Sequence, residues 1–478
     1  MSADGGNPWL IQGGMGIAVS GWPLARAVSL TGQLGVVSGT AIDTVFARRL
    51  QDHGVDESLQ LVLDQFPVPA VVDEVLARYA ATRREPTTPY LPVPMLTHRN
   101  VRRSIDLLVL ASFVEVAMAK QGHDGIIGIN LLTKVQIPTG PSLFGAILAG
   151  VDYVLMGAGV PTHIPGVLED LAQGRRVELP LSVVGEHETG VSPSLAFDPT
   201  RYLPAHSLHR PRFVGIVSSH VLATALAKRS NGPVDGFVVE RPSAGGHNAP
   251  PRGKLVLDAD GNPEYGERDR VDYEVLREMG LPFWIGGGIT SPQHVRDAFA
   301  EGASGVQVGT MFAYCQESGM EPGLRAEVLE EIRHGSVEVA TSTRASTTGY
   351  PFKVASVEGT TSEPQVLEAR ERKCDLGYLR EAYVDESGKI GYRCPGEPVD
   401  AYIRKGGSIE ETVGRQCLCN GLMAACGLGQ VRSDGTREPP VVTSGDCINE
   451  LRSIMTDGTD YSARDVISFL GAWQTVAS

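Results

Sequence analysis

The sequence predicts an α/β protein built on a closed (β/α)8 TIM barrel, with insertions and a C-terminal extension that carries cysteines. Three observations lead there. Apolar, β-rich runs alternate with helical patterns up to about residue 330, eight such runs can be counted, and three of them end in glycine-rich turns. Continuous apolar strands between helices imply a parallel sheet covered on both faces. An open doubly wound sheet is the architectural alternative.

In order, the first strand is read at residues 9–15 (WLIQGGM) and is followed by a helical pattern, WPLARAVSLTG. The second, LGVVSG at 34–39, is followed by DTVFARRLQDHG, and both helical patterns end in Gly, a common C-terminal stop. Further strands are expected at 126–132, 152–157, 213–219, 236–240, 283–288 and 305–310. Three stretches interrupt the alternation. Residues 55–125 contain PVPMLTHRN and an apolar run, either of which suits an extra strand or helix, whereas 187–211 and 248–272 read as polar loops. Long loops after barrel strands commonly carry active sites. The chain changes character between 335 and 345, giving a barrel over 1–340 and an extension over 341–478.

Composition agrees with one large domain plus an appendage: 478 residues, 42% hydrophobic and 21% charged. A net charge of −14 without any Lys/Arg-rich run argues against nucleic acid or an anionic membrane as partner. The N-terminus lacks a basic segment followed by an apolar one, and the strongest apolar stretch, 105–119, is short for a span and contains Asp106 and Glu115. A cytoplasmic protein is expected.

The glycine-rich turns are IQGGMG (11–16), IGGGIT (285–290) and VQVGTMF (306–312). Glycines at the C-terminal ends of parallel strands let a ligand approach the backbone, and the turns after strands seven and eight form the usual phosphate site of such barrels. No GxGxxG turn signals an adenylate-binding unit.

Together, IQGGMG, GIN (128–130), AGGH (244–247), GGGI (286–289) and GVQVGTMF (305–312) resemble the serial motifs of the nitronate monooxygenase family, formerly the 2-nitropropane dioxygenases. That family shares its fold with flavin-dependent enoyl reductases of fatty acid and polyketide synthesis. The resemblance spans residues 8–315 and implies FMN at the strand C-termini. Gly14 and Met15 would run along the isoalloxazine, Asn130 would hydrogen-bond the flavin, and Gly287, Gly288, Gly309 and Thr310 would cradle the phosphate, with Gln307 in the same motif. Gly245 and Gly246 would bring the backbone close to the flavin and project His247 over it as the proton-transfer group. The chain departs from the family where many members carry glutamine seven residues before the histidine and an acidic residue four before it. Here those positions are Glu240 and Ser243. A carboxylate beside the flavin disfavours an anionic reduced flavin, which turns the expectation toward reduction or an unassigned oxidation. Arg252 would contact a carboxylate, a phosphate or a thioester carrier.

The extension lies outside this resemblance. Six of the seven cysteines fall after residue 370, and in a chain read as intracellular this favours metal ligation over disulfides. Cys374, Cys394, Cys417 and Cys419 sit in turn-like settings that suit a tetrahedral zinc or an iron–sulfur cluster, with the Cys-Pro of YRCPG favouring the latter. Cys426 reads as core and Cys447 as a spare ligand.

The functional expectation is an FMN-dependent oxidoreductase of the nitronate monooxygenase type, oxidising a small-molecule substrate with His247 moving the proton. One alternative is an enoyl-thioester reductase that uses NADH or NADPH and takes an acyl thioester, free or on a carrier protein. Another is a non-catalytic partner subunit that binds flavin or metal.

Overall fold

A computed structural model describes residues 6–185, 190, 193–455 and 460–474 of the chain. Its centre is the expected barrel. Eight parallel strands, β1 (Leu10–Gln12), β2 (Gly35–Ser38), β3 (Ile127–Leu132), β4 (Tyr153–Gly157), β5 (Arg212–Val217), β6 (Gly236–Glu240), β7 (Phe283–Gly286) and β8 (Gly305–Val308), lie in the order β1-β8-β7-β6-β5-β4-β3-β2. A parallel bridge between Ile11 and Leu34 closes the ring, and Gln12 N–H donates to Leu34 O at 2.9 Å. Each strand is a β-branched or aromatic run buried on both faces. Ile11, Val36, Leu155, Val214, Val238 and Trp284 fill the barrel interior, while the residues between them face the helices. The buried Trp284 indole donates to Pro8 O at 2.7 Å, so its polar atom is satisfied.

The 55–125 insertion is helical: Glu57–Leu63, Pro69–Tyr79 and Arg102–Lys120. PVPMLTHRN forms no regular element. Asp56 caps the first helix through Leu59 N–H, and Pro69 opens the second. The third is buried nearly all round, which requires partners for its carboxylates. Asp106 accepts from Tyr202 Oη at 2.5 Å, and Glu115 pairs with Arg49 at 2.8 Å and accepts from Trp22 N–H at 2.7 Å. Part of the expected 187–211 loop lies outside the described residues. The rest is more ordered than its composition suggests, with Ser194–Phe197 pairing antiparallel to Val177–Pro180. Residues 248–272 are irregular, as expected, apart from the 3-10 turn Glu267–Asp269.

The extension contains short strand pairs, Val339–Ser342 with Phe352–Ala355 and Glu381–Val384 with Ile390–Arg393, and several helices, among them Leu418–Ala425 and Ala463–Gly471. It packs directly on the barrel. Tyr378 Oη donates to Asp43 Oδ1 at 2.5 Å, and Tyr461 Oη donates to Met311 O at 2.8 Å. Among the described residues no helix is long and apolar enough to cross a membrane.

Candidate active site

The C-terminal ends of β1, β6, β7 and β8 meet around a narrow crevice of about 150 Å³. Its walls are the expected turns. Gly14, Met15, Glu240, Gly245, Gly246, Gly287, Gly288, Gln307, Gly309 and Thr310 all line it. Gly287 and Gly288 have φ of +90° and +71°, a region closed to most side chains, and Ser243 Oγ would lie 3.1 Å from a Cβ at either one. The Gln307 carbonyl oxygen Oε1 is buried without a hydrogen-bond partner. Such an orphan on a wall of glycine amides suits a polar ligand.

Asn130 is placed differently from its expected flavin contact. It does not line the crevice; its Nδ2 donates to Leu155 O at 3.1 Å, and its side chain packs behind Gly14, where a Cβ would sit 2.3 Å from Asn130 Cβ. Asn130 therefore sets how closely the first turn can lie against β3.

At Glu240 and Ser243 the crevice meets a second cavity of about 1420 Å³. Val160, Ile216, Val217, Val221, Leu222 and Tyr273 give it apolar wall, and the exposed Arg252 stands at its rim. Glu240, the last residue of β6, faces both spaces. Burial pushes its carboxyl up to about 7, because no cation lies close enough to favour the charged form.

His247 lines the wide cavity. Its Nε2 is 2.7 Å from Ser346 Oγ, and its ring meets Phe352 edge-on with centroids 4.8 Å apart. Burial lowers its pKa to about 4, so the imidazole is neutral at physiological pH. A backbone bridge between His247 and Phe352, and Asn248 N–H donating to Pro351 O at 2.9 Å, bind this loop to the extension.

The extension supplies the rest of the crevice, which the sequence did not reveal. Val441, Val442, Thr443, Ser444, Gly445 and Cys447 line it. Gly246 N–H donates to Thr443 Oγ1 at 2.9 Å, Gly445 N–H to Thr310 Oγ1 at 3.0 Å and Asp446 N–H to Ser243 O at 3.1 Å. The buried Lys353 holds Asp446 Oδ1 at 2.5 Å. These contacts join residues more than 90 positions apart, and no local pattern marks them.

The metal expectation is corrected. Cys374, Cys394, Cys417 and Cys419 do converge on one small void, yet all are free thiols, and among the described residues no group of three or more His, Cys, Asp or Glu side chains is gathered to hold a metal ion. Burial raises all four thiols, Cys374 up to about 12 and Cys394 up to about 11. Cys419 packs with Ile17, Val45 and Met423 as a small hydrophobe. Cys426 joins the core as expected, and Cys447 faces the crevice rather than the other thiols.

Residues 180–358 match the nitronate monooxygenase family. No curated protein matches the chain. Among solved structures it is similar to FabK from Thermotoga maritima, with 16% identity, 98% of this chain and 94% of that chain covered, and a TM-score of 0.48. It is similar to a nitroalkane oxidase from Streptomyces ansochromogenes, with 12% identity, 98% of each chain covered and a TM-score of 0.47. It is also similar to the enoyl reductase domain of MlnA from the macrolactin biosynthesis cluster of Bacillus amyloliquefaciens, with 12% identity, 98% and 94% covered and a TM-score of 0.50. At 12% identity the likeness to the MlnA domain speaks to the fold alone. The match over 180–358 points to an oxidoreductase enzyme.

Proposed function

We propose, starting from an oxidoreductase with a nitronate monooxygenase domain at residues 180–358, that the protein binds FMN and acts on an extended small-molecule substrate. The observation that carries this reading is the junction of the two cavities at Glu240 and Ser243. The narrow crevice has the glycine amides, the Thr310 hydroxyl and the unpartnered Gln307 oxygen that suit the phosphate and ribityl chain. FMN, when bound, supplies hydride or single-electron transfer. The wide cavity would take the substrate.

The chain's own groups handle protons there. Neutral His247, oriented by Ser346, can accept a proton at the cavity wall, and its low pKa makes it a poor donor near pH 7. Glu240, with a pKa near 7, can be either donor or acceptor.

Two observations favour the second reading, reduction of an enoyl thioester. A cavity of about 1420 Å³ exceeds the roughly 300–1,000 Å³ of ordinary ligand pockets and suits an acyl chain better than a small nitro compound. A neutral carboxyl also offers the proton that a reduced double bond must receive. NADH or NADPH would then reduce the enzyme, and Arg252 at the rim would meet an anionic carrier.

One experiment tests both. The purified protein should yield FMN, not FAD, when heated. Stopped-flow mixing with NADH or NADPH, followed by a nitroalkane or an enoyl thioester, should show reoxidation by one oxidant class. Recovery of no flavin after reconstitution would overturn the proposal.

A further inference from the structure

We propose that Thr443–Ser444–Gly445, contributed by the C-terminal extension, is the third wall of the phosphate seat, and that it holds the cofactor's phosphate together with the turns after β7 and β8. The inference rests on the FMN reading above and extends it to residues that the barrel motifs do not include.

The segment is built into the crevice. Val441 N–H donates to Gly421 O at 3.0 Å, and Ala355 N–H donates to Val442 O at 3.0 Å, which anchors the stretch on the extension side. On the barrel side, Gly246 donates to Thr443 and Gly445 donates to Thr310. The fit leaves no slack. A Cβ on Gly245 would lie 2.9 Å from Ser444 C, and one on Gly445 would lie 2.8 Å from Ser243 O. Gly245 therefore has a reason to be glycine that does not involve the flavin ring.

The polar atoms point to an acceptor-rich ligand. Ser444 is 3% exposed, lines the crevice, and its Oγ completes no hydrogen bond of normal geometry, with the Tyr314 hydroxyl beside it. Thr310 Oγ1 accepts from Gly445 N–H. A hydroxyl carries one hydrogen as well as its lone pairs. With a lone pair engaged by Gly445, the Thr310 O–H is left to donate. Two hydroxyl donors, Ser444 and Thr310, thus line the same crevice as Gly287 and Gly288. An oxyanion accepts from all of them, whereas a flavin ring or a ribityl hydroxyl uses fewer.

The test separates phosphate from flavin. Full-length protein stripped of flavin is titrated with FMN and with riboflavin, which lacks the phosphate, and binding is followed by flavin fluorescence. In Ser444→Ala the FMN dissociation constant should rise by about 10- to 100-fold, the range for a hydrogen bond to a charged group. The riboflavin constant should stay within about twofold, since it makes no such bond. In the wild type, hydrogen exchange of the amides at 441–447 should slow with FMN and not with riboflavin, a measurement independent of any variant's folding. Equal changes for both ligands, no change for FMN, or indifference of the 441–447 amides to FMN would each overturn the proposal. A wild type that binds neither flavin would instead overturn the FMN reading, and this inference with it.

Discussion

Replacing Glu240 by glutamine removes an ionisable group while keeping nearly the same shape. In the wild type, burial raises the carboxyl from 4.5 to about 7, with no compensating charge. The neutral form is therefore favoured by the fold. Its stabilising contribution is fully present below pH 4.5 and is lost as pH rises through about 7. Integrated from pH 5 to pH 8, this loss amounts to about 2 to 3 kcal/mol. Glutamine cannot ionise, so the stability difference between Glu240→Gln and wild type should change in the variant's favour by that amount across the interval. Unfolding entropy of about 2.1 cal/mol/K per residue over 478 residues converts it to about 2 to 3 °C of thermal midpoint. Urea denaturation and thermal scans of the flavin-free protein at both pH values measure it. Parallel pH profiles for the two proteins would refute the argument, because a carboxyl open to water or paired to a cation has no such slope.

His247→Ala should leave flavin content intact and lower turnover per bound flavin by about 10²- to 10⁴-fold, the usual range for losing a general acid or base. Ser346→Ala should give a smaller loss with the same flavin content, and equal rates per flavin in all three proteins would remove the pair from the chemistry. Gly14→Ala places a methyl 2.3 Å from Asn130 Cβ, so it should destabilise the barrel by about 1 to 3 kcal/mol. The double variant Gly14→Ala/Asn130→Gly should recover part of that in denaturant titrations. An additive double variant would mean that the two residues do not meet.

The barrel was legible because its signals are local. Apolar runs such as FVGIVSS and FWIGGG are bounded by turn residues, and each occupies the strand expected of it. The helices of 55–125 were ambiguous because Asp106 and Glu115 interrupt an apolar run that makes sense only once Tyr202 and Arg49 are in place. Ten of the eleven expected cofactor residues line the crevice for a similar reason, since they sit in strand-end turns with a recognisable pattern. Asn130 belongs to such a pattern too, but its amide is turned to Leu155 O on the neighbouring strand β4. For the cysteines the sequence showed proximity only: the four thiols do line one void, but among the described residues no group of three or more His, Cys, Asp or Glu side chains is gathered to hold a metal ion. Ser346, Phe352 and Thr443–Gly445 have no local signature, because what places them is a tertiary contact with the loop after β6.

The crevice draws its walls from residue 13 to residue 447, and this bears on the order of events during synthesis. Chains emerge from the ribosome N-terminal end first, and early segments begin to fold while later ones are still being made. The eight strands are complete once Val308 has emerged, so the ring can close well before its roof exists. Through that interval Gly246 N–H lacks Thr443, and Thr310 lacks Gly445. A nascent barrel would hold flavin weakly, and full retention would wait for the last wall to arrive. Cofactor loading would then report on nearly finished chains, and a chain cut short before residue 441 would carry the barrel motifs without a closed seat.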